Sequence, residues 1–268
     1  MDFALSPAEL NQFKSDGWIG PFPLLEPEQT ARLGPELRAW HEESQHMPYP
    51  EVMPESGHFT ERPWYQSLHA HDRRVYEIAA MPAILDRIAQ VMGEDIVLWG
   101  SSFFGQDQGE AIHWHADLEY QCWDGVAVWI ALHDVAPENV LKLMPGSHQF
   151  PKTPENLMTE HDLFYEDFQD DERVLAFARQ WKPDSRIERP KMENGEFFLF
   201  RGNMWHGSYN PLDCYRGALN LRFSPPNQRV RIPVNVIPPA LFDPSPAPCL
   251  LMRGEDRFGL NPMIAPPL

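Results

Sequence analysis

The sequence predicts a mainly β fold, a barrel or sandwich of the jelly-roll kind with N-terminal helices packed on one sheet. Three observations predict it. Beyond Gly93 the apolar residues leave helical spacing and fall into short β-branched or aromatic segments bounded by Gly, Pro, Asn or Asp. Twenty-eight prolines, well above the usual share of about 5%, are spread over connecting segments and the C-terminal end rather than gathered in one low-complexity tract. Finally, 268 residues with 43% hydrophobic content, nine Trp and sixteen Phe suffice for one large domain with a sizeable core.

The elements follow in order. Ser6-Pro7-Ala8-Glu9 is a capping box with proline at the first helical position, so a helix runs from about Pro7 to Lys14 and stops near Gly17. Residues 27–44 carry Leu, Arg and Glu at helical spacing, with Pro35 implying a kink or break. A third helix runs from Pro82 to Met92, with Ile84, Leu85, Ile88 and Val91 on one face and Gly93 closing it. Strands are expected near 95–104, 111–119, 126–135, 140–144, 196–201, 204–208 and 215–223. The organisation is therefore a single domain over 1–268: a helical part (1–93), a β core (94–148 and 196–225), an insertion (149–195) and a Pro-rich C-terminal extension (226–268). The insertion is polar, rich in Asp and Glu, with a helix around Asp171 to Arg179. It is expected to form a lid that is mobile without substrate, because polar chain offers little apolar surface to bury.

A net charge of −17 repels polyanions and argues against nucleic acid or an anionic membrane as partner. No stretch approaches the roughly 20 apolar residues of a membrane span. The start, Met1-Asp2-Phe3-Ala4-Leu5, lacks the basic and apolar regions of an export signal, which leads to the expectation of a cytoplasmic location. Cys122, Cys214 and Cys249 are too few and too scattered for a disulfide framework. A small-molecule partner remains as the expectation, with no signal for an oligomeric state.

Chemistry concentrates in Ala111-Ile112-His113-Trp114-His115-Ala116-Asp117-Leu118-Glu119. Read as one strand, it turns His113, His115, Asp117 and Glu119 to the same face. Burying those groups is costly unless a metal or other partner compensates them. A catalytic iron(II) site of the oxygenase type takes two imidazoles and one carboxylate on one side of the ion, leaving open positions for co-substrate and dioxygen. His115 and Asp117 supply two such ligands, and His206, on a late β segment, offers a third. Arg216 opens a strand ten residues later, and its planar fork suits the carboxylate of a dicarboxylic co-substrate. Should Arg216 not serve, Arg222 on the same strand is the next basic group. A competing ligand set, His113, His115, Glu119 and His206, fits the H-x-H-x-x-x-E spacing of cupin-type metal enzymes. A lone histidine is more often structural than catalytic, and His69, His71 and His148 are read that way.

In order along nearly the whole chain, several features resemble the phytanoyl-CoA dioxygenase family: Phe13-Lys14-Ser15-Asp16-Gly17-Trp18-Ile19, His115-Ala116-Asp117, Val128-Trp129-Ile130-Ala131-Leu132, Pro145-Gly146-Ser147-His148, and His206 followed by Arg216. The resemblance implies a double-stranded β-helix and an iron(II)- and 2-oxoglutarate-dependent dioxygenase. His115, Asp117 and His206 are then the metal ligands, Arg216 grips the distal 2-oxoglutarate carboxylate and Trp129 lines its pocket. O2 and 2-oxoglutarate are consumed, succinate and CO2 are released, and a C–H bond is oxidised, most simply by hydroxylation. The Asp117 carboxylate argues against halogenation, which needs that position vacant for a halide. Glu119, Tyr120 and Trp123, beside the metal strand, are the candidate substrate contacts and suit a polar or cationic small molecule. The alternatives are the cupin-type enzyme and a non-catalytic β-sandwich that binds ligand through its aromatic residues.

Overall fold

The computed structural model describes residues 3–46, 67–117, 124–230 and 247–268. Helix α1 (Pro7–Asp16) forms as its capping box dictates: Ser6 Oγ accepts from Glu9 N, and Glu9 returns an acceptor to Ser6 N at 2.7 Å. It ends at Gly17, whose φ of +86° suits glycine and whose missing Cβ leaves room for the His148 ring. Strand β1 (Trp18–Pro23) follows, then α2 (Pro27–His46), which Pro35 does not interrupt. Helix α3 (Arg73–Ala79) is capped by Asp72, and α4 (Pro82–Met92) presents Ile84, Leu85 and Ile88 to the core.

The strands are β2 (Ile96–Gln106), β3 (Ala111–His115), β4 (Val126–His133), β5 (Lys142–Leu143), β6 (Glu196–Arg201), β7 (His206–Tyr209), β8 (Arg216–Ser224) and β9 (Leu250–Arg253). They form two antiparallel sheets among the described residues, one six-stranded in the order β1-β6-β4-β8-β2-β9 and one three-stranded in the order β3-β7-β5. The expected strands are all present, with ends shifted by a few residues. Sequence reading missed β1 because Gly20, Pro21 and Pro23 interrupt its pattern; at a sheet edge such prolines forfeit no ladder bond. It also missed β9, the opposite edge, which returns from within the Pro-rich extension to pair with β2.

Strand parity divides the core. On β4, Val126, Val128, Ile130 and Leu132 face the helices together with Phe197, Leu199, Leu219, Leu221 and Phe223. Their neighbours Ala127, Trp129 and Ala131 face inward with Phe198, Phe200 and Ala218, and meet Leu143 of the small sheet. Because both faces of β4, β6 and β8 are buried, an inward polar residue on any of them lies inside the protein.

The insertion departs from expectation. It folds into α5 (Pro154–His161), a 3-10 turn at Tyr165–Phe168 and α6 (Asp171–Ala178), and it has its own core. Leu157, Met158, Phe168, Val174, Leu175 and Ala178 bury against Trp114 of β3 and Trp205, which immediately precedes β7. Asp171 accepts from Trp114 Nε1 at 2.9 Å and pairs with Lys142. The apolar residues at helical spacing within a polar composition were the missed signal, and their burial contradicts the premise of little apolar surface. Thr153-Pro154, which caps α5 as Ser6-Pro7 caps α1, was a second one.

Candidate metal centre

His115 ends β3 and His206 begins β7, opposite each other in the ladder. Asp117 lies in the turn just beyond β3. One ligating atom from each of the three residues falls within 4.8 Å of the others, and they are the one such group among the described residues. His206 is 3% exposed. The Asp117 side chain is equally buried.

The two histidines are oriented alike. His115 Nδ1 stands 2.9 Å from the His113 carbonyl, and His206 Nδ1 stands 2.9 Å from the Met204 carbonyl. A carbonyl only accepts, so each Nδ1 carries the proton and each Nε2 presents a lone pair. Burial, with His206 nearby, pushes His115 down to about 3, and burial also lowers His206. Both rings are therefore neutral near pH 7, the form a metal needs. Burial opposes ionisation of Asp117, but the charge and hydrogen bond of Arg222 outweigh it and hold the carboxyl well below the usual range. Two neutral nitrogens and one anionic oxygen converging on one side fit iron(II).

His113 does not join them, which corrects the single-face reading of 111–119. The β3–β7 register slips between Ile112 and His115, a bulge that inserts one residue. Ile112 and His115 then line the interior while Trp114 turns to the insertion's core. The His113 ring packs at a tilt against Tyr165 of the insertion, centroids 4.3 Å apart, and its buried Nε2 has no partner among the described residues. The ligand set of the cupin alternative thus lacks His113, while its Glu119 lies outside the described residues. Tyr120 and Trp123 lie outside them as well.

A recess of about 330 Å³ adjoins the triad, bordered by Trp129, Phe104, Leu141 and Phe200. Arg216 reaches into it fully buried, its guanidinium 5.6 Å from the Trp129 ring centre. It donates to Gln106 Oε1, which also accepts from Ser208 Oγ at 3.0 Å. No carboxylate pairs with Arg216 among the described residues, its Nε is unpartnered, and burial pushes its pKa down to about 10. Sequence reasoning did not single out Gln106, Ser208 or Asn220, although β8 parity marks residue 220 as inward beside 216 and 222.

His148 packs against Gly17, with Nε2 3.3 Å from the Lys14 carbonyl, and does not line the metal recess. The 145–148 turn is a clamp: Gly146 N donates to Asp16 O at 2.8 Å, and Ser147 Oγ accepts from Trp205 N at 2.8 Å, next to His206. This contact explains why a helix stop at residue 17, a Pro-Gly turn and a late histidine belong to one pattern.

The fold and this site define a dioxygenase of the double-stranded β-helix class. The chain belongs to the phytanoyl-CoA dioxygenase (PhyH) family, whose model matches residues 13–211, and it is accordingly an iron(II)- and 2-oxoglutarate-dependent oxidoreductase. No curated protein sequence matches the chain significantly. Among solved structures, the non-heme monooxygenase ThoJ in its apo form is similar over 96% of this chain and 88% of its own (17% identity, TM-score 0.67). CytC3 with Fe(II) and alpha-ketoglutarate is similar over 98% and 94% (22% identity, TM-score 0.63). EctD from S. alaskensis with 2-oxoglutarate and 5-hydroxyectoine is similar over 84% and 78% (18% identity, TM-score 0.62). Among the described residues no helix is long and apolar enough to cross a membrane.

Proposed function

We propose that His115, Asp117 and His206 hold the iron(II), that Arg216 binds the distal carboxylate of 2-oxoglutarate beside Trp129, and that the enzyme hydroxylates a C–H bond of a small molecule. The observation that carries this reading is the pairing, in one recess, of a two-His, one-carboxylate group with a buried guanidinium that has no anionic partner among the described residues. A buried, unpaired cation is costly, and a dicarboxylate entering the recess offsets that cost. Iron with 2-oxoglutarate and dioxygen supplies the oxidising power when bound, releasing succinate and CO2.

The chain's own groups orient and enclose. The His113 and Met204 carbonyls fix the two imidazoles, and Arg222 and Asn220 hold the Asp117 carboxylate at 2.8 and 3.4 Å. Phe104, Leu141 and Phe200 keep water from the reacting region. The insertion meets the metal strand through Tyr165 on His113.

The test is to strip the protein with chelator, restore iron(II) anaerobically and titrate 2-oxoglutarate. One metal per chain is expected, and at 100 times Kd the ligand should add about 2.7 kcal/mol to unfolding stability. Admitting oxygen should release succinate. Absence of both 2-oxoglutarate binding and succinate would count against the reading.

A further inference from the structure

Resting on the co-substrate reading above, we propose that the substrate carries a carboxylate and that Arg222 receives it. Arg216 and Arg222 face inward from one strand but serve opposite ends of the pocket, Arg216 across from Gln106 and Arg222 across from Gly100. The Arg222 guanidinium donates to Asp117 Oδ1 at 2.8 Å and to Ser102 Oγ at 3.3 Å. Arg222 and Asp117 also line the metal recess itself, alongside Phe104, Ile112, Leu141 and Phe200. Apolar walls around a cationic fork match a small organic acid, with its body in that recess and its carboxylate on the guanidinium.

Charge balance points the same way. Among the described residues the charged groups lining the metal pocket are Arg216, Arg222 and Asp117. A divalent ion added to two guanidiniums and one carboxylate leaves three positive charges, and the 2-oxoglutarate dianion cancels two. The remaining positive charge sits among side chains that are themselves buried, where leaving it unpaired is costly. A monoanionic substrate neutralises it, whereas a neutral or cationic one does not. This polarity is opposite to the one suggested by Glu119, which lies outside the described residues. The metal should assist, because an ion drawing on Asp117 loosens that residue's hold on Arg222; metal and carboxylate then favour each other's binding reciprocally.

The rival role for Arg222 is only to position Asp117, and binding measurements separate the two. Nickel(II)-loaded protein saturated with 2-oxoglutarate is titrated with butanoate, hexanoate and octanoate and with the matching amides, read by tryptophan fluorescence and calorimetry. At least one acid should bind about 10-fold or more tightly than its amide. That acid should bind more weakly to chelator-stripped protein. Arg222→Gln should erase the acid preference, and Arg222→Lys should restore part of it. Equal binding of acids and amides, no binding of either, or an acid preference that survives in Arg222→Gln overturns the proposal. The wild-type comparison decides even if the variants fold poorly. A wild-type protein that fails to bind 2-oxoglutarate before any acid is added sinks the underlying co-substrate reading instead.

Discussion

Asp117 and Arg216 occupy one pocket but should fail differently when removed. Asp117→Ala takes away the anionic ligand, so iron affinity should fall and turnover should be nearly abolished, with no rescue by excess 2-oxoglutarate. Arg216→Ala removes a charge-assisted contact worth about 1.5–3 kcal/mol, so 2-oxoglutarate should bind about 10- to 150-fold more weakly while iron remains. High co-substrate should partly restore that variant. Gln106 offers a complementary test, because Gln106→Glu places a carboxylate where Arg216 already donates. That variant should keep its iron and raise the KM for 2-oxoglutarate; an unchanged KM would mean that Arg216 does not hold the co-substrate.

At the scale of elements, the bulge in β3 decides which side chains face the triad, and the packed insertion covers the strand's other side. A regular strand would point His113 and His115 together, and the extra residue hands His113 to Tyr165 instead. The insertion behaves as part of the fold, since Phe168 is fully buried between α6 and the small sheet's outer face. Phe168→Ala should cost about 3–5 kcal/mol of unfolding stability, measured by urea titration. Deleting residues 155–179 would expose Trp114 and Trp205, so it should lower stability as well as turnover. A deletion that left the urea midpoint unchanged would show the insertion to be a detachable lid.

Across the whole molecule, His69 joins distant parts of the chain. Its Nδ1 and Ser101 Oγ on β2 are 2.7 Å apart, and its Nε2 stands 2.7 Å from the Pro248 carbonyl, just before β9. Burial pushes its pKa down to about 4, against about 6.5 for a free imidazole. Above pH 6.5 neither the folded nor the unfolded state holds the proton. Between 6.5 and 4 only the unfolded chain takes it up, so stability falls as pH falls, by about 3 kcal/mol in all. His69→Gln should remove about one proton's worth of that slope from a pH series of urea unfolding curves. An unaltered slope would place the acid sensitivity in other buried histidines.

Sequence alone determined the mainly β class, helices α1, α2, α4 and α6, the strands of both sheets except β1 and β9, and which two histidines and aspartate come together as the candidate triad. These were legible because capping boxes, strand alternation and the H-x-D spacing are local signals that neighbouring residues carry in full. Sequence could not determine how His113 points, because one bulge residue reverses every side chain beyond it and nothing local announces a bulge. Nor could it show that residues 149–195 bury a core, since their apolar residues acquire a partner only when Trp114 and Trp205 arrive from outside the insertion. Arg222 was legible as a basic residue on the last strand, but its place on Asp117 depends on β3 and β8 meeting across 105 residues of chain. Tertiary structure decided these points because each depends on what faces a side chain rather than on what precedes it.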